Sequence, residues 1–161
     1  MKQQYFWALI GVLIIIVAGV YAYSALHKSP SVAAVSYKDG TYLIDGLQAK
    51  YFGNDAVGDL NGDGAPDVAF IVTTDGGGSG TFYYAIAVLK TGSGYKATNA
   101  ILLGDRIAPQ TTEIRDGEVV VNYADRAPGE PMTAQPSVGV TKYLKIEGAM
   151  LVEVPPAAAG Y

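Results

Sequence analysis

Val68-Ala69-Phe70-Ile71-Val72-Thr73 and Phe82-Tyr83-Tyr84-Ala85-Ile86-Ala87-Val88-Leu89-Lys90 are two apolar runs joined by a loop, Thr74-Asp75-Gly76-Gly77-Gly78-Ser79-Gly80-Thr81. Both runs are short, bounded by turn residues and rich in β-branched and aromatic side chains, so they read as strands. Neither alternates cleanly between polar and apolar, which predicts central strands buried on both faces. Working outward, Tyr37-Lys38-Asp39-Gly40-Thr41-Tyr42 predicts a hairpin around an Asp-Gly turn. Further strands are expected at Ala97–Leu103, Thr111–Arg115, Glu118–Tyr123, Val138–Ile146 and Met150–Val154, with turns at Asp116-Gly117 and Glu147-Gly148. Beyond residue 26 no segment carries an amphipathic helical period, and frequent glycine penalises helices by about 1 kcal/mol per position. The expected fold is mainly β: an antiparallel curved sheet, a sandwich or a partly closed barrel. Prolines 128, 131 and 136 make Ala124–Pro136 a long excursion between strands.

Immediately before the first of these runs stands Asp59-Leu60-Asn61-Gly62-Asp63-Gly64-Ala65-Pro66-Asp67. Side-chain oxygens recur at alternate positions, and Asp59, Asn61, Asp63 and Asp67 match positions 1, 3, 5 and 9 of a calcium loop. Gly64 falls where such a loop turns sharply, and Ala65 at position 7 can offer its carbonyl. Three carboxylates at this spacing repel one another unless a cation lies between them. The candidate ligands are therefore Asp59, Asn61, Asp63, Ala65 and Asp67, and the expected ion is structural Ca²⁺. A helix–loop–helix site would close with a bidentate Glu at position 12, but Phe70 stands there, so the loop leads into a strand. The other reading of the segment is an Asp/Asn/Gly turn with no ion.

This loop resembles the Asp-x-Asp/Asn-x-Asp-Gly-x-x-Asp loops of FG-GAP and VCBS-type repeats in integrin-like and bacterial surface proteins. The resemblance covers about a dozen residues and implies Ca²⁺ at the mouth of a β-hairpin, held by Asp59, Asn61, Asp63 and Asp67. Those families repeat the unit around a propeller, whereas this chain has one copy. The following Gly-Gly-Gly-Ser-Gly-Thr-Phe-Tyr-Tyr and Leu-Gly-Asp-Arg-Ile-Ala-Pro stretches resemble small membrane-anchored bacterial proteins.

From Tyr5 to Leu26 no charged residue interrupts the chain. At ~1.5 Å per residue this segment is long enough for a hydrocarbon core of about 30 Å. Tyr5, Phe6 and Trp7 mark one end, and Tyr21 and Tyr23 the other, as interfacial aromatics do. Eleven Lys/Arg face fifteen Asp/Glu in the whole chain, for a net charge of −4. Only Lys2 precedes the span, and His27 and Lys28 follow it, so flanking charge sets orientation weakly. An acidic calcium-binding domain fits a calcium-rich compartment, which predicts residues 1–4 inside and the main domain outside. A cleaved signal peptide is the rival reading, with Ala22-Tyr23-Ser24 as its small-residue site, although the apolar run exceeds the usual h-region. The expected organisation is a transmembrane helix at 5–26, a linker at 27–36, an extracytoplasmic β-domain at 37–154 and a frayed tail at 155–161.

Composition narrows the chemistry. The chain has no cysteine, which removes a lipid-modified cysteine, disulfides and thiol catalysis, and its one histidine, His27, abuts the apolar span. A Ser–His–Asp triad and the usual zinc sets therefore lack their members. Glu113, Glu118, Glu130, Asp105 and Asp125 are candidates for a carboxylate pair that cleaves glycosides, yet no spacing singles out two of them. Gly76–Gly80 lacks the Gly-Lys-Ser/Thr ending and the helix of a phosphate loop. Asp105-Arg106 and Asp125-Arg126 each precede a proline-containing loop; the arginines either recognise an anion or clamp those loops internally. Tyr83, Tyr84, Tyr95, Tyr123 and Tyr143 could line a carbohydrate or peptide groove or fill strand faces. An acidic domain without a basic stripe is a poor partner for nucleic acid.

The expectation is a single-pass, membrane-anchored envelope protein. Its calcium-stabilised β-domain would bind an envelope protein or glycan, or act structurally. The alternatives are a hydrolase of envelope polymers using paired carboxylates, and a cap or inhibitor for a neighbouring protein.

Overall fold

A computed structural model describes residues 41–156, together with the strand pairing of Val32–Ala33 and Val35–Lys38. The membrane span expected at 5–26 lies outside the described residues, as do most of the linker and the tail from residue 157. Among the described residues no helix is long and apolar enough to cross a membrane.

The described residues form eleven strands: β1 (Val32–Ala33), β2 (Val35–Lys38), β3 (Thr41–Ile44), β4 (Leu47–Gly58), β5 (Asp67–Thr74), β6 (Phe82–Thr91), β7 (Gly94–Asp105), β8 (Ala108–Arg115), β9 (Glu118–Asp125), β10 (Val138–Glu147) and β11 (Met150–Val154). All pairings are antiparallel, so the expected β-fold is present. Two sheets result, with orders β1-β7-β6-β5-β4-β3-β2 and β11-β10-β9-β8. Strands β3 to β7 are a meander that curls into a half-barrel. The pairings of the first residues account for the curl. Val32 and Ala33 pair with β7 at one edge, and Val35 to Lys38 pair with β3 at the other. One residue joins these two short strands, so the two edges must approach each other. Strand pairing thus begins at Val32, inside the segment 27–36 expected to be a linker and ahead of Tyr37.

Local chemistry sets the hairpins. Lys38 pairs with Thr41, as the expected Asp39-Gly40 turn requires, although residues 39 and 40 themselves lie outside the described residues. Asp45 (φ 48°) and Gly46 (φ 82°) join β3 to β4, and Asp116 (φ 53°) and Gly117 (φ 75°) join β8 to β9. Two consecutive positive φ values make the primed turn whose twist matches that of the strands. Strand β4 was not expected from the sequence. Its run is broken at Gly53 (φ 118°) and Asn54 (φ 56°), where the register against β5 shifts. A strand bulged at an Asn following a Gly lacks the alternation by which strands are recognised.

The core explains why Val68–Thr73 and Phe82–Lys90 do not alternate. Ala69 and Ile71 of β5, Ala85, Ala87 and Leu89 of β6, and Ile101 and Leu103 of β7 face the second sheet. They pack there against Val119, Val121, Tyr123, Leu144 and Leu151. Val72, Ile86 and Ala100 point to the other side, inside the curl, where they meet Ile44 and the partly buried Phe70 and Tyr84. Strands β5 and β6 are therefore covered on both faces. The second sheet lies close enough to the first that a Cβ added to Gly58 would stand 2.6 Å from Ile114 Cγ2. A side chain at 58 would push the two layers apart.

Candidate functional site

The segment between β4 and β5 is wound around its own polar side chains. Asp59 Oδ1 accepts the Gly62 N–H at 2.7 Å and Oδ2 accepts the Gly64 N–H at 2.9 Å. Asn61 Oδ1 accepts from Asp63 N at 2.9 Å, and Asp63 Oδ1 accepts from Ala65 N at 2.7 Å. Asn61 Nδ2 donates to Asp63 Oδ2 at 3.0 Å. Gly62 (φ 78°) and Gly64 (φ 79°) supply the left-handed backbone that turns these N–H groups inward. The Gly64 N–H foremost, opposed by desolvation and then aided by the Gly62 N–H, holds the Asp59 carboxyl below its ordinary value.

Asp67 behaves differently from the other loop acids. It is fully buried, with Oδ2 accepting the Leu60 N–H at 3.0 Å and Oδ1 accepting the Lys90 N–H at 2.8 Å. This carboxylate pins the base of the loop to the far end of β6. Leu60, buried among the inter-sheet residues, anchors the loop from its other side. Among the described residues no three His, Cys, Asp or Glu side chains gather as they would around a metal ion. Asp59, Asn61 and Asp63 thus share one exposed turn, while Asp67 faces the interior.

The two Asp-Arg pairs converge. Arg126 Nε donates to Ala134 O at 2.7 Å, and Nη1 donates to Arg106 O at 3.0 Å and to Asp105 O at 3.4 Å. Asp105 Oδ1 accepts the Thr81 N–H, and Arg106 pairs with Asp105 at 3.3 Å. Glu130 Oε2 accepts the Ala127 N–H at 2.8 Å, and Ser137 N closes the excursion on Asp125 O at 2.9 Å. Arg126 therefore ties the β9–β10 loop to the crossing from β7 to β8. For Arg126 this is internal clamping, the second of the two readings of the arginines.

The tyrosines do not form one groove. Tyr83 packs edge-on against Phe52 with ring centroids 5.4 Å apart, and Tyr84 lies inside the curl. Tyr95 is exposed near the β6–β7 turn, and Tyr123 is buried between the sheets. Burial, then the charges of Asp125 and Glu153, push the Tyr123 hydroxyl up to about 12. Tyr143 faces outward from the second sheet, opposite Val120.

The candidate acids separate likewise. Glu130, Asp105 and Asp125 belong to the Arg126 knot, whereas Glu113 and Glu118 share the outer face of the second sheet. Pairing places Glu113 opposite Val120, and Glu118 opposite both Arg115 and Lys145. Asp75 follows β5 at the end opposite Asp67 and accepts the Gly77 N–H within the glycine-rich loop. Sequence reasoning named Glu118 and Tyr143 separately, but it had no register for β9 against β10 and so could not bring them together. No protein-family model, curated protein or solved structure matches the chain.

Proposed function

We propose that this protein is a calcium-stabilised β-domain of the cell envelope, held at the membrane by residues 5–26 and serving as a binding or structural module. One observation carries the reading: consecutive N–H groups of residues 62 to 65 are folded onto Asp59, Asn61 and Asp63, which pre-shapes an exposed turn of oxygen side chains. Each carboxylate oxygen can accept more than one bond, so these contacts leave capacity for a cation. Asp59, Asn61 and Asp63 with the Ala65 carbonyl fit a hard, oxygen-seeking ion. Asp67 would join them only through the capacity left by Leu60 and Lys90. A bound calcium ion would neutralise the turn and cross-link it to β5. The uncharged run at 5–26 and the acidic balance of the chain support an anchored, extracytoplasmic placement.

The calcium-specific test is thermal melting of the full chain in detergent with calcium and with chelator, alongside Asp59→Ala. A calcium-dependent rise that Asp59→Ala abolishes supports the reading, and identical melts contradict it. The hydrolase alternative rests on Glu113 and Glu118 sharing one sheet face. Turnover of envelope glycans that is lost in Glu118→Gln would establish it over a binding-only role.

A further inference from the structure

The outer face of the second sheet holds a cavity of about 270 Å³ lined by Arg115, Asp116, Glu118, Val120 and Tyr143. Antiparallel pairing orders the surroundings into two rows. One runs Glu113, Val120, Tyr143 and the next runs Arg115, Glu118, Lys145. Directly opposed residues in a sheet project from the same face, so these six side chains form one surface. That surface is opposite the one bearing Val119, Val121 and Leu144, which pack toward the first sheet. Val120, 5% exposed, is the floor, and the Tyr143 ring is a wall.

Both cations of the patch are already paired, and Asp116 leaves it with a net negative charge. Arg115 Nη2 donates to Glu113 at 3.1 Å, and Lys145 stands 4.0 Å from Glu118. An anionic ligand would have to displace one of these partners and would meet Asp116 as well, whereas a neutral ligand displaces none. Hydrogen-bonding capacity is nevertheless in excess. A guanidinium has five N–H groups, of which Arg115 commits one to Glu113, and carboxylates accept several bonds each. The site thus pairs an apolar floor and aromatic wall with donors and acceptors around its rim. Its volume lies just below the range of about 300–1,000 Å³ typical of drug-sized ligands, which selects something small.

We propose that this cavity is a subsite for one ring of a neutral, hydroxyl-rich sugar. The ring's C–H face lies on Tyr143 and Val120, Glu118 and Asp116 accept from its hydroxyls, and Arg115 donates to a ring substituent oxygen. The proposal deepens the binding-module reading by naming a ligand class, and it makes no use of the calcium loop.

The test is an NMR titration of the full chain in detergent micelles with trimers of glucose and of N-acetylglucosamine, and with glucuronate and glucosamine as charged counterparts. The expected result is saturable shifts of Tyr143 and Val120 resonances with a neutral trimer in the millimolar range. Tyr143→Ala and Arg115→Ala should each weaken that response about tenfold, with Arg115→Ala as the variant at an exposed position. Tyr95→Ala, remote and exposed, should leave it unchanged. No saturable shift at roughly 50 mM neutral sugar, a response confined to the charged sugars, or a response indifferent to both cavity variants would overturn the proposal. Each of these outcomes leaves calcium-dependent melting as it was, so the two readings fail separately.

Discussion

Asn99 and Leu151 exchange two hydrogen bonds of 2.8 Å. The Asn99 side-chain amide donates to the Leu151 carbonyl and accepts the Leu151 N–H. A side chain of the first sheet thus completes the backbone pairing of β11, an edge strand of the second. Asn99 can reach because β7 bulges there: its register against β6 shifts between Ile86 and Val88. The neighbouring Thr98 hydroxyl fills the gap left behind, accepting the Ala87 N–H at 3.2 Å. An irregularity in one sheet therefore becomes the polar joint between two.

Replacing Asn99 by Leu keeps the volume and removes both bonds, leaving the Leu151 N–H and C=O without partners. The expected loss is about 2 kcal/mol, read from urea denaturation as a lower midpoint with unchanged slope. Asn99→Asp retains the acceptor for the Leu151 N–H but sets a carboxylate oxygen against the Leu151 carbonyl, so it should not restore the parent's stability. If Asn99→Leu matches the parent protein, the joint contributes nothing to stability.

Gly58→Ala places a methyl 2.6 Å from Ile114 Cγ2 and 3.0 Å from Ile114 Cβ. Overpacking of this kind costs about 1–3 kcal/mol. Combining it with Ile114→Ala removes the clashing methyl, so the double variant should lose less than the sum of the two single losses. Additive losses would show that Gly58 matters for its backbone alone.

Asp67→Asn keeps one acceptor but turns an amide N–H₂ toward a backbone N–H, either that of Leu60 or that of Lys90. The expected loss is about 2–3 kcal/mol, because the bond removed is to a buried charged group. Asp75→Asn, at the opposite end of β5 and exposed, is the control and should be nearly neutral. Equal stability of the two variants would contradict the clasp.

Two groups give opposite pH dependences. The folded state depresses the Asp59 carboxyl, so its contribution is present above the unfolded value near 3.9 and is lost as pH falls through the folded one. Asp59→Asn should flatten the acid limb of a stability–pH profile. Tyr123 is raised from about 10 to about 12, so the folded state binds more protons across that interval and stability falls as pH climbs through it. Tyr123→Phe should remove that alkaline decline. An unchanged alkaline limb would mean that Tyr123 ionises as readily folded as unfolded.

Much of this fold was legible because turn residues punctuate strands β5 to β11, and β5, β6 and β9 are rich in apolar side chains. Asp116-Gly117 is flanked by residues that pair across the turn, and the mixed runs 68–73 and 82–90 proved to be covered on both faces. Strand β4 was not legible: Gly53, Asn54 and Asp55 interrupt it with bulge chemistry that reads as loop. The two-sheet arrangement was not legible either, since stacking depends on close approaches such as Gly58 on Ile114. At the site, residue spacing drew attention to Asp59, Asn61, Asp63 and Asp67 together. That Asp67 turns inward depends on Lys90, 23 residues away, and no local pattern reports it. The patch around Tyr143 was hidden for the same reason, being assembled from β8, β9 and β10 by register.

Melting of the full chain at a calcium concentration about one hundred times Kd, against the same protein in chelator, tests the central claim most directly. Binding to the folded state alone should add about 2.7 kcal/mol, a rise of several degrees, and Asp59→Ala should abolish it. Superimposable melts in calcium and chelator, with Asp59→Ala unchanged in its response, would contradict the account and leave the loop as a turn without an ion.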